Sequence, residues 1–137
     1  MDIRILTRDF AVSPQISVGS VSEIAKAGYR SILCNRPDGE QYGQCEYRNI
    51  AEAAAAQGLE SRSVPLASGI ITEEVLSDFA AAMDELPKPI LAYCRSGTRC
   101  AMLWSVNQSG KLAHDEIIGR TAAAGYDVAN LLSGLGR

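Results

Sequence analysis

The chain predicts an α/β fold, a mostly parallel central sheet flanked by helices. Three observations carry this reading. Short apolar runs alternate with stretches at helical spacing, as strand–helix–strand units require. No repeat or low-complexity linker interrupts the 137 residues, so residues 1–137 form one domain. A hydrophobic fraction of 47% and a charged fraction of 21% suit a water-soluble core of that size, which can bury about two-thirds of the unfolded surface.

The elements follow in chain order. Asp2–Thr7 alternates like a half-buried strand. Residues 10–17 give a second strand, assigned to a sheet edge by Pro14. Ser20, with Glu23 three positions later, reads as a capping box for a helix that ends near Gly28. Tyr29–Cys34 is a buried strand that should neighbour the strand ending at Cys94, and residues 35–39 form a loop of turn formers. Residues 46–57 favour helix and stop at Gly58. Leu59–Val64 is a strand closed by Pro65, and Ser68-Gly69 reads as a turn. Thr72 should cap a helix over 73–86, with Val75, Leu76, Phe79, Ala80 and Met83 on one face. Ile90–Tyr93 is long enough only for a strand. A helix follows over 98–108, and the tail makes two short helices divided near Gly125.

Composition narrows the function. A net charge of −3, without a basic stripe interleaved with aromatics, argues against nucleic acid as a partner. No secretory leader follows Met1, and no apolar run reaches the ~18 residues of a membrane helix. The expected compartment is the cytoplasm, with no membrane partner. Four cysteines in such a chain read as free thiols rather than a disulfide framework. Neither a metal site nor a cofactor is expected: the zinc spacings are missing and there is one histidine.

The chemistry concentrates in ILAYCRSGTRC, residues 90–100. A buried strand ends, Cys94 follows, and a helix begins near Thr98. The backbone between them must turn back tightly, and Gly97 permits positive φ or a close ligand approach. Successive N–H groups of such a turn form an anion-binding nest at a helix N-terminus. Arg95, Ser96, Gly97 and Thr98 are therefore the anion-binding loop. Arg99 supplies a fork for two anion oxygens. The same field should lower the Cys94 thiol pKa from ~8.5 toward ~3.5–7.5. Cys94 is then the catalytic nucleophile, with Arg99 as its catalytic partner and a small anion as substrate: thiosulfate, a persulfide or a phosphate. The competing description is a buried strand cysteine beside an ordinary turn.

Cys94–Arg99 resembles the C-R-x-G-x-R loop of rhodanese-type sulfurtransferases. Cys34-Asn35-Arg36-Pro37-Asp38-Gly39-Glu40, Val64-Pro65-Leu66, Ser68–Thr72 and the Cys94 loop together resemble the DUF442 family. This is the phosphatase-like domain of beta-lactamase hydrolase-like proteins. The resemblance implies the architecture of dual-specificity protein tyrosine phosphatases, and a functional link to a persulfide dioxygenase. It also marks two departures. Tyrosine phosphatases place five residues between cysteine and arginine; here there are four, with Tyr93 for the usual histidine and Cys100 for the usual Ser/Thr. The loop after residues 59–64, where those enzymes carry a general-acid aspartate, has no Asp before Glu73 and Glu74. Expelling an alkoxide without a donor loses about 10²–10⁴-fold, whereas sulfite or thiolate needs less help. The expected activity is therefore sulfur transfer through a Cys94 persulfide. Phosphate hydrolysis through a phosphocysteine is the alternative. A non-catalytic anion-binding or redox-sensing domain is the reading of another class.

Other residues carry paired readings. Asn35 and Arg36 either line the pocket rim or brace their loop, with Arg36 on Asp38 or another acid. Cys100 is a resolving thiol or a helix residue packed on the sheet. Cys34 reads as core and Cys45 as an incidental thiol. His114 reads as a solvated helix start or a catalytic base, Trp104 as core or a stacking platform, and Glu73 and Glu74 as first-turn acids or a displaced general acid.

Overall fold

The computed structural model describes residues 1–67 and 70–135. Its sheet has five strands in the order β1-β2-β5-β3-β4: β1 is Arg4–Thr7, β2 Phe10–Ser13, β3 Ser31–Cys34, β4 Glu60–Ser63 and β5 Ile90–Tyr93. Only β1 runs antiparallel, on β2; the other pairs are parallel. The expected α/β architecture is present. The turn expected at Ser68-Gly69 lies outside the described residues.

β5 is central, and its four residues are buried, as strands covered on both faces must be. The pleat sorts neighbouring side chains to opposite faces. Ile90, Ala92 and Cys94 join Phe10, Val12 and Leu33 in one core. Leu91 and Tyr93 join Ala11, Ile32 and Cys34 in the other. Helices α1 (Val21–Lys26) and α2 (Tyr47–Ala56) close the second face through Ile24 and Ile50. Helices α3 (Glu73–Glu85), α4 (Thr98–Gln108), α5 (His114–Ala123) and α6 (Ala129–Ser133) close the first. There Trp104 stacks on Phe10, with ring centroids 6.3 Å apart, and Phe79 meets the same Phe10 edge-on at 6.2 Å. Trp104 is core, as expected.

Two local expectations are corrected. Pro14 does not put β2 at an edge: β2 lies between β1 and β5. The strand stops at Ser13, so the missing N–H of Pro14 interrupts no ladder. Ser20 does not cap α1 through its side chain. A 3₁₀ turn over Val18–Ser20 precedes the helix, and Ser17 caps it reciprocally with Ser20. Ser20 is already inside helical backbone when α1 begins. Thr72 does cap α3, its Oγ1 accepting from Val75 N–H at 3.2 Å. No helix among the described residues is long and apolar enough to cross a membrane.

Candidate active site

Parallel register fixes what surrounds Cys94. Tyr93 is level with Ser13 of β2 and Cys34 of β3. The next residue of each strand therefore opens a loop at one end of the sheet. Loop backbones are stitched together there. Gln15 N–H donates to Arg95 O at 3.2 Å, Asn35 N–H to Tyr93 O at 2.9 Å, and Leu66 N–H to Asn35 O at 3.0 Å.

Cys94 sits at the floor, fully buried. Gly97 is left-handed with φ 91° at the start of α4, which turns its N–H back to Cys94 Sγ at 3.1 Å. The Cys94 thiol is lowered to about 5. The hydrogen bond from the Cys100 thiol contributes most, and backbone N–H groups of Cys100, Arg99 and Gly97 add to it, together outweighing burial. At neutral pH the sulfur is a thiolate. Ser96 Oγ donates to Thr98 Oγ1 at 2.9 Å and accepts from Thr98 N–H at 3.3 Å, which closes the turn.

Gly97 is required for a second reason. A Cβ there would stand 2.1 Å from Tyr126 Oη, the group that donates to Ser96 O at 3.0 Å. Overpacking and a non-glycine residue at positive φ together cost about 2–4 kcal/mol. Tyr126 is itself covered by Arg4, whose Cζ lies 5.1 Å from the ring centroid and whose Nη1 donates to Ala124 O.

Arg99 is oriented from behind by Glu40. Its Nη1 donates to Glu40 Oε2 and its Nη2 to Glu40 Oε1, both at 2.7 Å, while Nη1 also reaches Leu66 O at 2.9 Å. A guanidinium has five N–H bonds. Among the described residues these contacts leave Nε–H and the second Nη2 hydrogen, which share one edge of the plane and form a two-pronged donor for an anion. The pair favours charge on both partners. Glu40 is lowered to about 2, chiefly by the Arg99 hydrogen bond and then by Arg36. Arg99 is raised, chiefly by Glu40. Arg36 holds the far side: Nε donates to Glu40 Oε1 at 2.9 Å, Nη1 to Gln15 Oε1 at 2.9 Å and Nη2 to Gln41 Oε1 at 3.3 Å.

The sequence-derived residues thus separate into groups. Cys94, Ser96, Gly97, Thr98 and Arg99 build the cradle together. Arg95 is exposed at its lip. Asn35 and Arg36 are buried, so they stand behind the pocket rather than on its rim. The acid paired to Arg36 is Glu40, while Asp38 Oδ1 accepts from Tyr47 N–H at 2.9 Å. Asn35 Nδ2 donates to Val64 O at 2.8 Å, and its buried Oδ1 has no partner among the described residues. Cys100 is buried against the Cys94 face, and Cys34 lies on the opposite one. His114 Nε2 meets Ser109 Oγ at 3.0 Å and lines a separate depression with Gly110, Leu112, Ala113 and Asp115. Glu73 and Glu74 are exposed in the first turn of α3. Glu40 and Tyr126 are the residues that sequence reasoning missed. The first had a signal, a second acid in a loop with one buried arginine; the second had none.

Residues 2–111 match the family described as the phosphatase-like domain of beta-lactamase hydrolase-like protein. The Beta-lactamase hydrolase-like protein of Xylella fastidiosa is 34% identical over all of this chain, and that of Agrobacterium fabrum 28% identical over 85% of it. The chain spans only 32% and 28% of the lengths of those two proteins. Among solved structures, a candidate phosphatase of Neisseria meningitidis is 32% identical, with a TM-score of 0.86 over 98% of this chain and 96% of that one. Tk-PTP in its active form aligns over 90% of this chain and 84% of its own, at TM-score 0.70 and 15% identity, and so shares the fold. The chain therefore belongs to the family of phosphatase-like domains found in beta-lactamase hydrolase-like proteins.

Proposed function

We propose that this domain is a cysteine-dependent phosphatase acting on small or aryl phosphates whose leaving groups need no proton. The observation that carries the reading is a Cys94 thiolate held under inward N–H groups beside the free edge of Arg99. Cys94 Sγ attacks phosphorus, the P–O bond to the leaving group breaks, and the aryloxide departs with the electron pair. The nest and Arg99 stabilise charge on the transferring oxygens. Water then hydrolyses the phosphocysteine, which releases inorganic phosphate and restores the thiolate. The family description and the phosphatase-fold neighbours support phosphorus over sulfur as the element transferred.

Two sequence features favour sulfur transfer as the second reading: the four-residue spacing from Cys94 to Arg99, and the absence of an aspartate in residues 65–72. In that case Cys94 takes the outer sulfur of thiosulfate or a persulfide, and a thiol or cyanide removes it. A persulfide dioxygenase working beside the domain belongs to this reading.

Mass spectrometry of Cys94 decides between them. Quenching with an activated aryl phosphate should leave a phosphoryl group on Cys94, and Cys94→Ser should reduce turnover to background, a loss of up to ~10⁶-fold. Retained turnover in Cys94→Ser would overturn the phosphatase reading. A sulfur adduct after thiosulfate, with no phosphoryl adduct after aryl phosphate, would replace it with the second.

A further inference from the structure

Two carbonyls of the Cys94 loop are held by groups from distant elements. Arg95 O accepts from Gln15 N–H at 3.2 Å. Ser96 O accepts from the Tyr126 hydroxyl at 3.0 Å. The two grips differ in kind. The first is a backbone bond that any residue but proline supplies, whereas the second exists because residue 126 carries a phenol. A trans peptide is planar, with its C=O and N–H pointing in opposite directions. Ser96 O and Gly97 N–H belong to one such plane. One edge of it is fastened to Tyr126, and the other donates to Cys94 Sγ at 3.1 Å. The hydroxyl is also packed against the glycine itself, 2.1 Å from where a Cβ would stand. The phenol is firmly set in turn. Its ring lies in the core that contains Cys94 and Cys100, and its N–H donates to Thr121 O at 2.9 Å at the end of α5. Arg4 of β1 covers the ring and ties the preceding turn through Ala124 O at 3.1 Å. Asp2 holds that guanidinium at 2.9 and 3.1 Å.

We propose that Tyr126 is a positioning residue for the nucleophile: its hydroxyl, gripping Ser96 O from behind, keeps the Gly97 N–H aimed at the Cys94 sulfur. An N–H bond to the sulfur favours thiolate over thiol. Removing the hydroxyl while keeping the ring leaves the plane fastened at one edge only. Ser96 is exposed, so its carbonyl then turns to water and the peptide rotates. The sulfur loses Gly97 from a set of backbone donors that also includes Cys100 and Arg99, and the thiolate forms at higher pH. Arg4 acts on the same line from one step further out, because it fixes the ring and the turn from which the hydroxyl reaches the loop. The ionisation of Cys94 is thereby tied to β1 and to the segment after α5, neither of which supplies a group to the anion cradle. This coupling acts on the nucleophile itself, and it holds whether the domain transfers phosphate or sulfur.

The test is the pH dependence of Cys94 alkylation by iodoacetamide in the whole chain, followed on the Cys94 peptide by mass spectrometry. The wild-type midpoint is expected at about 5. Tyr126→Phe should raise it by about one unit, the worth of a hydrogen bond to a charged group. Alkylation at about pH 5 should therefore slow by ~5-fold, whereas at about pH 8, where both proteins are ionised, the rates should agree within about two-fold. That signature separates positioning from packing, because a loop merely loosened or closed would change the rate by one factor at every pH. An unmoved midpoint, or a uniform change in rate, would overturn the proposal. Arg4→Met removes the cation over the ring and the tie at Ala124 O but leaves the hydroxyl in place. It should move the midpoint in the same direction by about half a unit. If Tyr126→Phe does not fold, an unmoved midpoint in Arg4→Met overturns the proposal instead. Alkylation needs no substrate, so failure of the phosphatase reading stays distinguishable from failure of this one.

Discussion

The loops after β5 and β4 lie at the same end of one sheet but are built to opposite standards. The β5 loop has every short-range device in place: a positive-φ glycine, inward N–H groups, a lowered thiol and an arginine whose direction is fixed by Glu40. Among the described residues, the β4 loop gives the site one backbone group, Leu66 O, which accepts from Arg99. It has no acid until Glu73 and Glu74, and both are exposed on α3. Glu40, the acid closest to the arginine, is lowered to about 2 and cannot hold a proton at neutral pH. On the proposed phosphatase reading, the nucleophilic half of the reaction is prepared and the leaving-group half is left to the substrate.

The largest effect that can break this contrast is a leaving-group series. Phosphates of acidic phenols should turn over, while alkyl phosphates fall behind by a further ~10²–10⁴-fold, the usual contribution of a general acid. Equal steady-state rates across the series, with aryl release still free of a burst, would show that a proton donor acts at the β4 side. A smaller effect should follow from Glu40→Gln. Arg99 loses its charged brace and buried Arg36 loses its ion pair, but Glu40 is partly exposed and Gln keeps an acceptor, so stability should fall by about 1 kcal/mol in a denaturant titration. kcat/KM should fall by ~10²-fold as Arg99 loses its alignment. Wild-type values on both measures would mean that Arg99 is aligned by the β4 loop alone. The smallest effect is on pH. Alkylation of Cys94 by iodoacetamide should rise through a midpoint at about 5 and then level off. Because the folded pKa lies below the ordinary thiol value, the thiolate's contribution to stability is complete above about 9 and is lost progressively as pH falls to about 5. A midpoint near the ordinary thiol value would remove the electrostatic half of the comparison.

Local patterns explain why so much of the β5 loop could be read from sequence. A strand, a cysteine, a glycine and a helix start occur within eleven residues, and local sterics and hydrogen bonding dictate their arrangement. Helix α4 over 98–108 and the Thr72 cap of α3 are legible for the same reason. What was not legible depends on long-range pairing. The placement of β2 inside the sheet follows from β5 docking beside it, which Pro14 cannot announce. The partner of Arg99 is 59 residues away and the brace of Ser96 is 30 away, so no spacing rule reaches them. Ser20 failed as a cap because a 3₁₀ turn and an α-helix were joined where one helix start was expected.

Tyr126 has a consequence for where this domain can be cut. The family match ends at residue 111, yet the hydroxyl that holds the loop carbonyl at Ser96 comes from residue 126. Ile117, Tyr126, Val128 and Leu132 also complete the core beneath Cys94. Arg4, near the other end of the chain, covers the same tyrosine. In longer proteins that carry such a domain, a boundary drawn at the end of the recognisable signature would sever the nucleophile from its support. The functional module is the signature together with the helices that follow it.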